Sequence, residues 1–216
     1  MKQIAVMVAV GLLVGACGSK IDANAKNFGA ALSQNLEKTG ELCLGQTTWP
    51  VEVTEMDVVM AKSIANAKAA QMRALESAGL ASSAEAQVEM MGMFGKPTGG
   101  SLKVWRYTLT DAGKQYYREK EVSVYTIAGP AKAMQGDLCY GKQALDKVVK
   151  WEGPMKLGDY QEARVTYAYK IENLAGWAGK PEVQQAFPNV RRQMEGVGKG
   201  DSQHAVKLTS EGWEAL

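Results

Sequence analysis

The chain has 216 residues with 25 Lys and Arg against 23 Asp and Glu, a formal charge of +2 that gives nucleic acid no strong electrostatic footing. Three cysteines and one histidine leave few of the side chains that thiol, metal or triad chemistry uses. The length suits one good core or two small ones.

Residues 1–17, MKQIAVMVAVGLLVGAC, place Lys2 before an apolar run from Ile4 to Val14, followed by the small pair Gly15 and Ala16. This is the layout of a signal peptide, and the run falls short of the roughly 20 residues that span a bilayer. Removal of residues 1–16 would leave 200 residues. The end of the segment, Val14-Gly15-Ala16-Cys17, resembles the lipobox of bacterial lipoproteins. That resemblance implies cleavage before Cys17, a diacylglycerol on its sulfur and palmitate-type acylation of the new amine. More than one acyl chain anchors stably where a single chain is marginal. A plain secretory signal with an incidental cysteine, or an uncleaved apolar start, is the alternative. Gly18 in place of Asp implies the periplasmic face of the outer membrane. Residues 17–28, polar and short of core side chains, are expected to be a tether.

With Cys17 lipidated, Cys43 and Cys139 remain, an even number in an oxidising compartment, and a disulfide is expected. Two buried free thiols are the alternative. The cysteines sit in near-identical phrases, GELCLG at 40–45 and GDLCYG at 136–141, and LTDAG at 109–113 is echoed by LTSEG at 208–212. Two echoes in the same order at similar spacing point to a duplicated unit, or to coincidence, since the intervening segments do not align. If duplicated, the two cysteines would flank a pseudo-twofold axis.

After Trp49-Pro50, VEVTE predicts a short strand, and Thr54 three residues before Asp57 predicts a capped helix running to about Ala78, with Gly79 as its stop. Strands are expected near 86–90 and over LKVWRYTL at 102–109, with GKPTGG at 95–100 as the loop between. In LTDAG, the threonine suits a local hydroxyl turn and Gly113 a left-handed residue. Helix, two strands and LTDAGKQYY in this order resemble the recognition helix and wing of winged-helix domains. Nucleic-acid binding does not follow, because Lys62, Lys68 and Arg73 face Asp57 and Glu76 on the same helix.

In the second half, ALDKVVKW at 144–151 and EARVTYAYKI at 162–171 alternate as strands do, with Ala163, Val165, Tyr167, Tyr169 and Ile171 on one face. Gly153-Pro154 and Gly158-Asp159 supply turns, Pro181 and Pro188 start or break helices, and HAVKL is the last strand. LCYGKQALDKVVKWEGP with YAYKIENLAGWA, AFPNV and LTSEGW resembles a family of proteobacterial envelope lipoproteins, a likeness that implies no activity. The expected fold is α+β in two small halves with antiparallel strands, residues 29–128 being winged-helix-like and 129–216 the second half.

Chemistry is sparse. His204 stands at a strand start with no nucleophile near it in sequence. Neither Cys43 nor Cys139 lies in a CxxC pair, and GKPTGG lacks the spacing of a phosphate-binding loop. Met90, Met91, Met93 and Phe94 could be core filler, a partner contact or soft ligands for Cu(I). The five tryptophans, Trp49, Trp105, Trp151, Trp177 and Trp213, fit core packing or a sugar cleft. Lys147, Lys150, Lys156 and Arg164 form a solvated face or a strip for anionic headgroups. No catalytic residue, metal or cofactor is assigned. The expectation is a non-enzymatic, lipid-anchored periplasmic module that binds or assembles with an envelope protein. An envelope hydrolase, or a protective lipoprotein that binds an antibiotic or toxin, is the alternative.

Overall fold

The computed structural model describes residues 19–92, 96–126 and 129–216. The signal peptide, Cys17, Met93 and Phe94 therefore lie outside the described residues.

Helix α1, Ala25–Thr39, begins where Asn24 accepts the Asn27 amide, and it buries Phe28, Ala31, Leu32 and Leu36, one stripe at helical spacing. It starts inside the stretch 17–28 expected to be a tether. Gly40 ends it, and only glycine fits there, because a Cβ would collide with the carbonyl oxygens of Gln143 and Leu36. Strands β1, Glu41–Cys43, and β2, Val51–Val53, follow, then α2, Glu55–Met60, and α3, Lys68–Ser77. Next come the hairpin β3, Ala81–Met91, with β4, Pro97–Leu109, the single turn α4, Asp111–Lys114, and β5, Tyr117–Thr126. Strand β6, Gly129–Leu157, pairs with β7, Tyr160–Glu172; a 3-10 turn at Gly176–Gly179, α5, Pro181–Ala186, and α6, Pro188–Glu195, lead to β8, Ser202–Thr209, and β9, Gly212–Ala215.

The strands form two antiparallel sheets. The smaller has the order β2-β4-β3, and the larger β1-β6-β7-β8-β9 with β5 also on β6. Strand β6 serves three partners in succession along its 29 residues: β5 over Gly129–Leu138, β1 over Cys139–Lys142 and β7 over Lys142–Leu157. Helix α1 covers the core face of β6 to β9, where Phe28 and Leu32 meet Val165, Tyr167 and Val206. A second cluster gathers Met72 and Leu75 of α3, Val53, Leu138, Tyr140, Trp177, Phe187 and Val190. Of the odd-numbered face expected of 162–171, Ala163, Val165, Tyr167 and Tyr169 are buried and Ile171 is half-buried, but the opposite face is not simply solvated, because Thr166 and Ala168 are buried too.

The expected fold class is overturned. Among the described residues strand outweighs helix, 48% to 28%, and one large sheet draws on both sequence halves. The boundary at 128/129 falls between Thr126 of β5 and Gly129 of β6, which pair with each other. The winged-helix reading assumed one long helix to Ala78, but the apolar pattern is divided. Ala69, Met72 and Leu75 enter the core, whereas Met56, Val59, Met60 and Ile64 are exposed and α2 buries no residue. Only Val58 and Ala61 touch the core from this side, both half-buried, and with so little to pack on the stretch after Met60 leaves the helix. The capping box at Thr54 and Asp57 is present.

Of the echoed phrases, LTDAG and LTSEG adopt different structures. Thr110 caps α4 by accepting the Gly113 amide, and Gly113 is required by the close approach of the Leu80 carbonyl, not by a left-handed backbone. Gly212 does take a positive φ of 119°, closing the β8–β9 turn. GKPTGG is likewise no simple loop, because β4 begins at Pro97.

Candidate functional site

Cys43 and Cys139 are direct register partners on β1 and β6 and form a disulfide across the two strands. Several bonds converge around it. The Leu44 amide donates to the Leu138 carbonyl at 3.0 Å, and the Cys139 amide to the Tyr116 carbonyl at 2.9 Å. The Asn189 side chain of α6 donates to the Leu44 carbonyl at 3.2 Å. The Asp137 carboxylate accepts the Gly45 amide at 2.7 Å and the Gln46 amide at 3.1 Å. Burial pushes the Asp137 carboxyl above its ordinary 3.8, and these two amides pull the other way. The bridge thus fixes the point where the α1–β1 segment, β5, β6 and α6 meet.

A cleft of about 570 Å³ opens on one side of the bridge, with Tyr116, Tyr140, Arg118, Lys38, Glu41 and Lys142 among its walls. A smaller one of about 260 Å³ shares Glu41, Arg118 and Cys139 with the first and is lined also by Cys43, Asp137 and Gln135. Tyr140 is buried, and desolvation raises its phenol to about 12, so it stays neutral at physiological pH. The Glu41 carboxylate and the two sulfurs lie within 4.8 Å of one another, but sulfurs joined in a disulfide offer no thiolate to a metal. The geometry of this region is that of a staple between strands with mixed-charge walls.

The other candidates are dispersed. His204 shares a hydrogen bond with the Leu216 carbonyl at 2.9 Å, tying the chain end to β8. Trp177 and Trp213 are core residues, each edge-on to an aromatic neighbour: Tyr116 and Tyr140 for Trp177, Phe28 for Trp213. Trp151 also meets Phe28 edge-on but stays 38% exposed. Lys147, Lys150, Lys156 and Arg164 are exposed, with Arg164 opposite Glu152 in the register. Met90, near the end of β3, is exposed, and its carbonyl accepts the Thr98 hydroxyl at 2.9 Å. It lies outside the buried clusters, so it is surface and not core filler.

Sequence reasoning missed the ends of two further hairpins. On β5–β6, Tyr125 is 89% exposed and Met134 62%. On β6–β7, Met155 is 73% exposed, Leu157 82% and Tyr160 46%. Leu157 and Tyr160 are the last pair before the turn at Gly158-Asp159, and Met155 and Glu162 are the next on the same face. Gly153-Pro154, expected to be a turn, is instead an irregularity within β6 between Glu152 and Met155. The available signal was Met155 and Leu157 alternating around Lys156 beside an unambiguous turn. No helix among the described residues is long and apolar enough to cross a membrane. Comparison with protein-family models, curated proteins and solved structures finds no match.

Proposed function

We propose that this protein is a non-enzymatic, lipid-anchored module of the bacterial envelope, held through Cys17 on the periplasmic face of the outer membrane. The observation that carries the reading is the Cys43–Cys139 disulfide standing behind a sequence that resembles a lipobox. Disulfides persist in oxidising compartments, the setting that export would provide. The exposed hairpin ends support a binding or assembly role. Met90 on β3 and Tyr125 on β5 present an adaptable and an aromatic side chain away from the cores. Fixing such surfaces beside one membrane raises the effective concentration of any co-localised envelope protein.

The test is palmitate labelling of cells carrying the wild type or the Cys17→Ser variant, joined to photo-crosslinking from position 90. The reading expects label on the wild type alone and a protein adduct at position 90. An unlabelled wild type that stays in the cytosol rejects the anchor. A labelled protein that crosslinks only lipid at position 90 rejects the assembly role there.

A further inference from the structure

The register of the large sheet brings its apolar turn to the end from which the N-terminal segment departs. Glu162 of β7 faces Lys207 of β8. Two residues beyond that pair lie Tyr160 on one strand and Thr209 on the other, so the β6–β7 and β8–β9 turns stand level at one end of the sheet. The start of the described chain is pinned at that same end. The Trp213 indole donates to the Ile21 carbonyl at 3.1 Å, and the Asn27 side chain donates to the Ser19 carbonyl at 2.8 Å. A Cβ on Gly212 would sit 3.3 Å from the Lys20 carbonyl oxygen.

Cys17 precedes Ser19 by two residues, so covalent geometry keeps their Cα atoms within about 7 Å. An acyl chain on that sulfur brings the bilayer surface against the end of the sheet that carries Met155, Leu157, Tyr160 and the exposed Ile21. Segment 19–24 gives little slack, because Ser19 is held by Asn27 and by its own amide bond to Asp22 at 2.9 Å.

We propose that the β6–β7 turn is a second membrane contact that lays Met155, Leu157 and Tyr160 into the headgroup region of the bilayer holding the lipid. This inference rests on the acylation of Cys17. Apolar side chains at a strand turn enter that boundary and leave the backbone of the turn hydrated, and Tyr160 places its hydroxyl, bonded to Glu162 at 2.6 Å, at the wet edge. Lys156 can extend its ammonium towards phosphates while its stem follows the apolar surface. The charges at this end are mixed, Lys20, Lys156 and Lys207 beside Asp22, Asp159, Glu162 and Glu211, with no basic excess to draw anionic headgroups, so the contact is apolar in origin and insensitive to salt. Acyl anchor and turn together fix the molecule's orientation, which an anchor alone does not.

The experiment uses the acylated protein, extracted from membranes and reconstituted in phosphatidylethanolamine and phosphatidylglycerol vesicles with brominated acyl chains. Leu157→Trp and Tyr125→Trp are compared with the wild type, both positions being exposed enough to accept an indole. Extra quenching is expected for Leu157→Trp and none for Tyr125→Trp, at low and high salt alike. A readout that needs no substitution is oxidation by hydrogen peroxide, in which anchoring should slow Met155 several-fold relative to the similarly exposed Met134. Equal behaviour at the two positions in protein that floats with the vesicles overturns the second contact and leaves the anchor intact. So does protection of Met155 found only in whole envelopes, which assigns the turn to a protein. Protein that neither floats nor takes palmitate removes the acylation, and this contact with it.

Discussion

Cys43 and Cys139 face each other directly across two antiparallel strands although 96 residues separate them in sequence. A crosslink closing so long a loop acts mainly by restricting the unfolded chain. Replacing both cysteines by alanine is expected to lower the unfolding free energy by about 2–5 kcal/mol, read from urea denaturation. An unchanged midpoint would show that the strand pairing alone holds the junction. Thiol titration of the non-reduced, denatured protein should find neither residue reactive.

Asp137 next to the bridge holds two backbone amides with one carboxylate. An amide side chain can accept at only one atom and presents N–H groups at the other. Asp137→Asn is therefore expected to cost about 1 kcal/mol by losing one of the two bonds, to the exposed Gly45 amide or the half-buried Gln46 amide. The pH dependence has a definite sign. The folded carboxyl titrates above its unfolded value of 3.8, so the folded state holds the proton more tightly. The contribution of this group is full below 3.8 and declines as pH rises through the folded value. The urea midpoint of the wild type should carry a downward component in that window that Asp137→Asn lacks.

Tyr140 offers the same linkage in alkali. Its phenol is raised from 10.0 to about 12, chiefly by burial, so the neutral form stabilises the fold. Stability from this residue is complete below pH 10 and falls as pH climbs towards about 12. Absorbance titration of the wild type against Tyr140→Phe should show a difference of one tyrosinate step near that value, and the variant's stability loses the corresponding slope. A Tyr140 step at the ordinary value would contradict its burial.

Two buried tryptophans differ in one bond. Trp213 donates its indole N–H to the Ile21 carbonyl, while the N–H of Trp177 is buried without a partner among the described residues. Trp213→Phe and Trp177→Phe remove similar volume, so the former should cost about 1 kcal/mol more, the net worth of one hydrogen bond. Equal losses by thermal unfolding would mean that the Ile21 contact contributes nothing.

Some of this was legible in the sequence and some was not. Strand β7 declared itself through the alternation of Ala163, Val165, Tyr167 and Tyr169, the face that α1 covers, whereas the burial of Thr166 and Ala168 opposite left no mark in that pattern. Helix α1 carried its own signal, Asn24 as cap and Phe28, Leu32 and Leu36 at helical spacing, but its start is hidden within the polar run GSKIDANAKN. The break after Met60 was invisible because alanine-rich sequence satisfies helical periodicity whether or not a core awaits it. Strand β5, YREKEVSVYT, is mostly exposed and so lacks the alternation that marks a buried strand. The cysteine pair needed only parity and compartment, whereas the turn at Leu157 and Tyr160 acquired meaning from register, a property of paired strands that no single segment contains.

Strand β6 joins two exposed hairpin ends through a single run of backbone, from Gly129 beside Thr126 to Leu157 beside Tyr160. At about 3.3 Å per residue, 29 residues set an upper limit of roughly 95 Å between those ends, and twist and bulges shorten it. The strand is in effect a ruler. If one end rests on a bilayer, the aromatic side chain at the other is carried out to a set height above it, and whatever Tyr125 meets must be found at that altitude.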